Sequence, residues 1–82
     1  MKFNVDIKIA LKKGVADPEG ENVKKTLNLL GLEGIEEVHT AKLYTVEIEA
    51  ESREKAEAEA TVICEKLLAN PVINTYTIKI RS

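Results

Sequence analysis

The sequence is poor in the residues that most often carry chemistry. Its 82 residues include one cysteine, one histidine, one phenylalanine, two tyrosines and no tryptophan. The single cysteine, Cys64, cannot form an internal disulfide, which indicates a reducing compartment. No apolar run approaches the roughly 20 residues that span a bilayer, and the N-terminal segment alternates polar and apolar residues, unlike a signal peptide. We therefore predict a cytoplasmic protein that does not bind membranes.

The sequence also lacks an excess of charge of either sign. It has 12 basic and 14 acidic residues, and its net charge is -2. This balance gives no electrostatic attraction to nucleic acid. The length predicts one domain over residues 1–82. A chain this short buries only about 60–65% of the surface that it exposes when unfolded. Because small domains often gain stability by self-association, the thin core favours an oligomer.

Alternation of polar and apolar residues predicts strands with one buried face. The buried faces of three strands are predicted at Phe3, Val5, Ile7, Ile9 and Leu11, at Tyr44, Val46 and Ile48, and at Val72, Asn74, Tyr76, Ile78 and Ile80. A shorter strand around Val38 is expected to form a hairpin with the second of these. The turn of that hairpin is placed near residues 40–42.

Two helices are predicted between the strands. Asp17 is a good N-cap, Pro18 suits the first helical position, and Gly31 suits a left-handed C-terminal cap. Ser52 caps the second helix, and Pro71 prevents it from continuing. The two apolar stripes are Val23, Leu27 and Leu30, and then Ala56, Ala60, Ile63 and Leu67, with Cys64 beside them.

The element order β-α-β-β-α-β predicts an α+β, ferredoxin-like fold. Right-handed crossovers in that order give a four-stranded antiparallel sheet with both helices on one face. The open face of the sheet is then polar and has no aromatic side chain on which a base could stack, which argues against RNA binding. Its predicted members are Asn4, Asp6, Lys8, Thr45, Glu47, Thr75, Thr77 and Lys79.

Catalytic, cofactor-binding and metal sites are not predicted. The first loop, LKKGVADPEG, has no cysteine for a thiolate pair, and no glycine-rich phosphate loop is present. His39 is the only histidine, and a functional histidine needs a tuned partner group. Cys64 lies on an apolar helix stripe, where a free cysteine behaves as a small hydrophobe. The residues alone thus favour a domain without its own chemistry.

Two short stretches are more specific than folding requires. Gly20, in DPEG, lies inside the first turn of a helix, where glycine costs about 1 kcal/mol relative to alanine. DPEG is either an ordinary helix start or a place where a missing side chain lets a partner approach closely. The second stretch, LLANPVI, contains Asn70 and Pro71, which are already explained as a helix stop and a strand start.

DPEG at Asp17–Gly20 and CEKLLANPVI at Cys64–Ile73 resemble the small PurS subunit family of phosphoribosylformylglycinamidine synthase. The resemblance extends over the whole chain in length and element order. It implies a non-catalytic subunit of a complex in purine biosynthesis that makes formylglycinamidine ribonucleotide from formylglycinamide ribonucleotide, glutamine and ATP. It also implies that a glutaminase subunit releases ammonia, and that a large synthetase subunit binds ATP and carries out the amidation with ATP and magnesium.

In this family the small subunit is expected to form a homodimer or homotetramer, to bridge the other two subunits and to assist ammonia transfer. We therefore expect partner contacts at three places: the DPEG stretch, the predicted hairpin turn and the Asn-Pro junction. The individual candidates are Asp17, Pro18, Glu19, Gly20, His39, Lys42, Asn70 and Pro71. The family's turn usually reads Arg-x-Gly-Lys, whereas this chain has His39-Thr40-Ala41-Lys42 and keeps only the lysine.

Two alternatives share the predicted fold. A regulatory module of the ACT type would bind a small molecule near a glycine-bearing first loop, where this chain has Gly14. An acyl-phosphate hydrolase would need an arginine in that loop, which holds only Lys12 and Lys13. The first alternative predicts stabilisation by one specific ligand, because a ligand that binds only the folded form raises its stability.

Overall fold

The computed structural model describes residues 1–81. In chain order the elements are β1 (Lys2–Leu11), α1 (Pro18–Leu29), β2 (Ala41–Glu49), α2 (Arg53–Ile63) and β3 (Asn74–Ile80). A π-helical turn at Cys64–Leu68 continues α2. The three strands form an antiparallel sheet in the order β2-β1-β3, so β1 is central. Among the described residues, no helix is long and apolar enough to cross a membrane.

The alternation predicted for the strands sets the two faces of the sheet. Val5 of β1 lies opposite Val46 of β2 and Ile80 of β3, and all three side chains share the helix-facing side. On the other face Asp6 accepts a hydrogen bond from the Thr45 hydroxyl at 3.0 Å. The register thus confirms the two faces within the strands. Val72, predicted as the first inward residue of the last strand, is instead 76% exposed in the turn before β3, which begins at Asn74.

Small side chains allow α2 to lie close to the sheet, where it packs on β1 and β3. Ala56, Ala60 and Cys64 follow one another at intervals of four, and all three are fully buried against the strands. Ser52 caps the helix as predicted, because its Oγ accepts a hydrogen bond from the N–H of Lys55 at 3.2 Å. The burial of Cys64 agrees with its predicted structural position.

The prediction that Leu67 continues the apolar stripe of α2 is wrong. Leu67 is 79% exposed, whereas the next two residues, Leu68 and Ala69, pack against the core. The cause is the π-helical turn, in which the N–H of Ala69 donates to the carbonyl oxygen of Cys64, five residues back. This wider turn rotates the following side chains relative to an α-helical continuation.

The ends of α1 are as predicted. Asp17 accepts a hydrogen bond from the N–H of Gly20 at 2.9 Å, and Pro18 occupies the first helical position. Gly31 has φ +86°, and the N–H of Leu32 donates to the carbonyl oxygen of Leu27, as in a Schellman motif. The apolar stripe of α1 does not pack against the sheet, however, and Leu30 at its end is 71% exposed.

The prediction of a four-stranded sheet is wrong, because the sheet has three strands. The expected strand around Val38 is absent, and residues 32–40 have no regular structure. The backbone polar groups that a ladder would need are used elsewhere: the N–H of Thr40 donates to Asp17 Oδ2 at 2.7 Å. The carbonyl oxygen of Val38 points at Gly20. This segment therefore docks on the start of α1 and not on the edge of β2.

The predicted hairpin turn near residues 40–42 is also wrong. Ala41 and Lys42 already belong to β2, where they lie opposite Ala10 and Ile9 of β1. The strand begins three residues earlier than the clear alternation at Tyr44. Backbone pairing with β1 explains this, because such pairing does not depend on alternating side chains.

Candidate partner-binding surface

One end of the sheet brings the three candidate stretches together. The DPEG stretch follows the last residues of β1, His39 and Lys42 flank the start of β2, and the Asn70-Pro71 junction precedes β3. Ala10 lies opposite Ala41, and Leu11 lies opposite Asn74, so these three strand ends are neighbours. Residues that are up to 54 positions apart in the chain thus contribute to one surface.

Asp17 joins two of these stretches. Its Oδ2 accepts a hydrogen bond from the N–H of Thr40 at 2.7 Å, while its Oδ1 accepts from the N–H of Gly20 at 2.9 Å. The Thr40 hydroxyl lies 3.0 Å from each carboxylate oxygen. The backbone hydrogen bonds from Thr40 and Gly20 lower the pKa of Asp17, because they favour the charged form. Below, these three residues are called the Asp17 latch.

Gly20 is the one buried residue of α1, and its own chain explains why no side chain is present. A Cβ atom built on Gly20 would collide with the carbonyl oxygen of Val38 and press on the Asp17 carboxylate. Glycine is therefore required for the docking of residues 38–40 on the helix start. The close approach suggested for a partner at this position is instead made by the chain's own Val38.

The remaining candidates lie on the surface. His39 is exposed, and its Nε2 lies 3.2 Å from Glu37 Oε2. A pair this exposed contributes little to stability. The structure places Asp17 half-buried, and it leaves the other candidate side chains available to solvent, namely Pro18, Glu19, Lys42, Asn70 and Pro71.

The Asn70-Pro71 junction is held by a hydrogen-bond network that sequence analysis missed. The N–H of Asn70 donates to Asn74 Oδ1 at 2.8 Å, and Asn74 Nδ2 donates to the carbonyl oxygen of Ala10 at 3.1 Å. Lys12 Nζ donates to the carbonyl oxygen of Pro71 at 2.6 Å. The sequence signal for this network was an Asn at each end of the five-residue segment 70–74, because Asn side chains often bond to nearby backbone groups.

A cleft of about 670 Å³ opens between the first loop and the segment before β2. Its lining includes Lys12, Lys13, Asp17, His39 and Thr40. These side chains carry both signs of charge. Within residues 1–81, no group of three or more His, Cys, Asp or Glu side chains is placed to hold a metal ion. The surface offers polar and charged contacts for a partner.

A second cavity of about 230 Å³ lies beside the junction. It is lined in part by Glu65, Pro71, Asn74 and Tyr76. The Tyr76 hydroxyl donates a long hydrogen bond of 3.4 Å to Glu65. Burial, followed by the charge of Glu65, raises the pKa of Tyr76, so its phenol stays protonated at neutral pH.

Comparison with known proteins decides the family. The sequence model of PurS, described as phosphoribosylformylglycinamidine (FGAM) synthase, matches residues 4–82. The chain belongs to the PurS family. The PurS subunit of FGAM synthase from Archaeoglobus fulgidus is 56% identical over 73 residues, which cover 89% of this chain and 91% of the relative. The PurS subunit from Methanocaldococcus jannaschii is 44% identical over 78 residues, which cover 95% of this chain and 94% of the relative.

Solved PurS structures have the same fold. The crystal structure of Methanocaldococcus jannaschii PurS superposes with a TM-score of 0.87 at 42% identity, and covers 98% of this chain and 96% of that one. A chain in the structure of PurLQS from Thermotoga maritima superposes with a TM-score of 0.90 at 32% identity, and covers 99% of both chains. The PurS fold therefore includes the three-stranded sheet seen here. The four-stranded prediction was wrong because it assumed that every strand of the general ferredoxin-like order forms in this chain.

Proposed function

We propose that this chain is a non-catalytic bridging subunit, which joins a glutaminase subunit to an ATP-dependent synthetase subunit and assists ammonia transfer between them. As a member of the PurS family it is a small subunit of FGAM synthase in purine biosynthesis. The observation that carries the proposal is the match, over 99% of both chains, to a chain in PurLQS of Thermotoga maritima. That similarity supports a role within a complex of three kinds of subunit.

The proposed contribution to chemistry is positional. Ammonia released into neutral water is quickly protonated and loses its nucleophilicity. A subunit that holds the glutaminase and synthetase sites in a fixed relation, and excludes water between them, preserves the free base. ATP and magnesium are expected on the synthetase subunit, where the amidation takes place.

The proposed contact surface is the end of the sheet that carries the candidate residues. The Asp17 latch and the Asn74 network hold its backbone, so a partner would meet a preorganised surface. Lys12, Lys13 and Lys42 supply positive charge there, and Glu19 and Glu37 supply negative charge. Such mixed charge favours a specific orientation of the partner more than raw affinity.

A homo-oligomer, either a dimer or a tetramer, is part of the proposal. A bridging role is easier for a symmetric oligomer than for one copy, because each copy presents the same surface in a defined direction. A role in purine biosynthesis is consistent with the cytoplasmic location predicted from the sequence.

The experiment that tests the proposal compares two nitrogen sources. Amidation of formylglycinamide ribonucleotide is measured with purified glutaminase and synthetase subunits, with and without this chain, first with glutamine and then with added ammonium. We expect the glutamine-dependent rate to require this chain and the ammonium-dependent rate to be unaffected. Light scattering during size-exclusion chromatography of the same samples follows assembly. A glutamine-dependent rate and an elution profile that are both unchanged by this chain would overturn the bridging role.

A further inference from the structure

The cleft between the first loop and the segment before β2 is not explained by the bridging role. Its volume is about 670 Å³, within the range of roughly 300–1,000 Å³ that is usual for small-molecule pockets. The first loop is also the part of the sequence in which Gly14 suggested a small-molecule site. The cleft therefore has the size and the place of a ligand site, and its charges indicate the class of ligand.

The first loop brings two consecutive lysines to this cleft. Lys12 and Lys13 both line it, although consecutive side chains of a strand point to opposite faces. Strand β1 ends at Leu11, and the N–H of Val15 then donates to the carbonyl oxygen of Lys12 at 3.1 Å, which closes a four-residue turn. Gly14 has φ +89°, as the third residue of a type II turn does. The turn thus places both lysines at one site.

Lys12 is already ordered in the chain without a ligand. Its Nζ donates to the carbonyl oxygen of Pro71 at 2.6 Å. An ammonium group has three N–H donors, so two of them stay free for a ligand. The carbonyl group is neutral, and the positive charge of Lys12 is therefore not cancelled. Because the side chain is held in place, less conformational entropy is lost when a ligand binds.

The acidic side chains of the cleft are engaged within the chain. Both carboxylate oxygens of Asp17 accept hydrogen bonds in the Asp17 latch. Glu37 Oε2 lies 3.2 Å from His39 Nε2. Among the ion pairs that residues 1–81 form, none includes Lys12 or Lys13. The two ammonium groups are thus the charges of the cleft that have no partner of opposite sign in this part of the chain.

We propose that the cleft binds a small phosphomonoester, whose phosphate group contacts the ammonium groups of Lys12 and Lys13. A phosphomonoester carries a charge of about -1.5 to -2 at neutral pH, which matches two ammonium groups better than the single charge of a carboxylate does. Lysine is a common phosphate ligand. Ala10 and Val15 line another part of the cleft, which leaves room for the organic part of the ester. This inference goes beyond the bridging role and does not depend on it.

A phosphate group within a polynucleotide fits the chain less well than a free ester does. Each phosphodiester carries one negative charge, and the net charge of -2 gives the chain no long-range attraction to nucleic acid. The aromatic side chains on which bases could stack all lie on the helix-facing side of the sheet, namely Phe3, Tyr44 and Tyr76. The ligand is therefore assigned to the class of small metabolites.

Calorimetric titration of the full chain with ribose 5-phosphate at low salt tests the site. We expect ribose 5-phosphate to bind and ribose not to bind, because the phosphate supplies the attraction. Lys13→Gln should bind roughly 10-fold more weakly, since it removes one charge-assisted contact. Lys25→Gln removes the same charge at an exposed position of α1 outside the cleft and should bind as wild type does. Equal affinity of all three proteins, or no heat of binding at millimolar ligand, would overturn the proposal.

Two further measurements locate the ligand and identify its class. Backbone amide spectra recorded during the titration should show saturable shifts at residues 11–14 and 37–40 and none at residues 22–29. Shifts confined to other parts of the chain would overturn the placement. Inorganic phosphate should compete with ribose 5-phosphate but bind more weakly, because it leaves the rest of the cleft empty. Equal affinity for the two would overturn the assignment of an organic ester.

The two proposals fail independently. A chain that supports glutamine-dependent amidation, but does not bind ribose 5-phosphate, would refute the cleft ligand and leave the bridging role intact. A chain that binds ribose 5-phosphate through Lys13, but has no effect on amidation or on assembly with the other subunits, would refute the bridging role alone.

Discussion

The Asp17 carboxylate accepts hydrogen bonds from both the backbone N–H and the hydroxyl of Thr40, 23 residues further along the chain. It caps α1 at the same time, through the N–H of Gly20. One side chain thus closes the loop after β1, begins a helix and anchors the segment that leads into β2. Because α1 has little contact with the sheet, this carboxylate has more influence on the position of the helix than an ordinary N-cap has.

The latch makes stability depend on acid pH. The pKa of Asp17 is lower in the folded chain than its ordinary value of 3.8, so its stabilising effect is fully present above that value. The effect is lost as the pH falls below 3.8 towards the folded pKa. We expect Asp17→Asn to unfold at lower urea concentration at pH 7, since an amide N–H₂ would face the donors of Thr40. The difference from wild type should shrink below pH 3.8.

Urea unfolding between pH 2.5 and 7 measures this difference. Glu19→Gln is the matched control, because it removes a carboxylate from the same turn of α1 at an exposed position. Its difference from wild type should be small and nearly independent of pH in that range. A constant difference for Asp17→Asn across the whole range would show that ionisation of Asp17 does not stabilise the fold.

A methyl group at Gly20 should destabilise the chain although alanine is the better helix former. The added Cβ would collide with the carbonyl oxygen of Val38, so residues 38–40 would have to move. Overpacking typically costs about 1–3 kcal/mol, while the gain in helix propensity is about 1 kcal/mol. The colliding atom belongs to the backbone and cannot swing aside as the end of a side chain can, so the upper part of that range applies. We therefore expect Gly20→Ala to lower the free energy of unfolding by roughly 1–2 kcal/mol. Asn22→Ala, at an exposed position of α1, should raise it by about 0.5 kcal/mol. Stabilisation by both variants would mean that residues 38–40 can move away from the helix start at little cost in free energy.

Local patterns were sufficient to predict the elements that depend on short-range chemistry. Asp17, Pro18 and Gly31 predicted the ends of α1, Ser52 predicted the start of α2, and alternation predicted both faces of the strands. These signals act within a few residues, through capping hydrogen bonds and side-chain period. Local signals also identified DPEG as a helix start and the Asn-Pro stretch as a helix stop. The fold brings both stretches to one end of the sheet.

The features that the sequence did not predict depend on contacts between residues that are distant in the chain. A strand was predicted around Val38 as the hairpin partner of β2. Instead, the N–H of Thr40 donates to Asp17 and the carbonyl oxygen of Val38 lies against Gly20. The π-helical turn after Ile63 decides that Leu68, and not Leu67, packs on the core, and the spacing of apolar residues fits either choice. Such outcomes are set by tertiary contacts that override local preference.

The side chain of Asn74 should stabilise the fold more than its position at the start of a surface strand suggests. It accepts a hydrogen bond from the N–H of Asn70 and donates one to the carbonyl oxygen of Ala10. Removing it in Asn74→Ala takes away the protein partner of both groups. Because Asn70 is exposed and water can reach its N–H, we expect a cost of about 1 kcal/mol, the usual net value of a hydrogen bond. Thr75→Ala changes the neighbouring exposed residue and should cost about 0.5 kcal/mol or less. Urea unfolding gives both free energies, and faster amide exchange at Asn70 should accompany the first change.

The candidate partner surface is tested by substitutions that spare the fold. Glu19→Lys, Lys42→Glu and Pro71→Ser change exposed side chains at the three stretches, and Lys8→Glu changes an exposed side chain on the open face of the sheet. If the partner subunits bind the end of the sheet that carries the candidate residues, the first three variants should bind the glutaminase or synthetase subunit about 10-fold more weakly, or worse. The reason is that a reversed charge or a lost contact in an interface costs at least about 1 kcal/mol. Lys8→Glu should bind as wild type does. Titration calorimetry with each purified subunit measures the affinities. Unchanged binding by all three variants would place the partner contacts elsewhere, and the latch and the Asn74 network would then serve the fold alone.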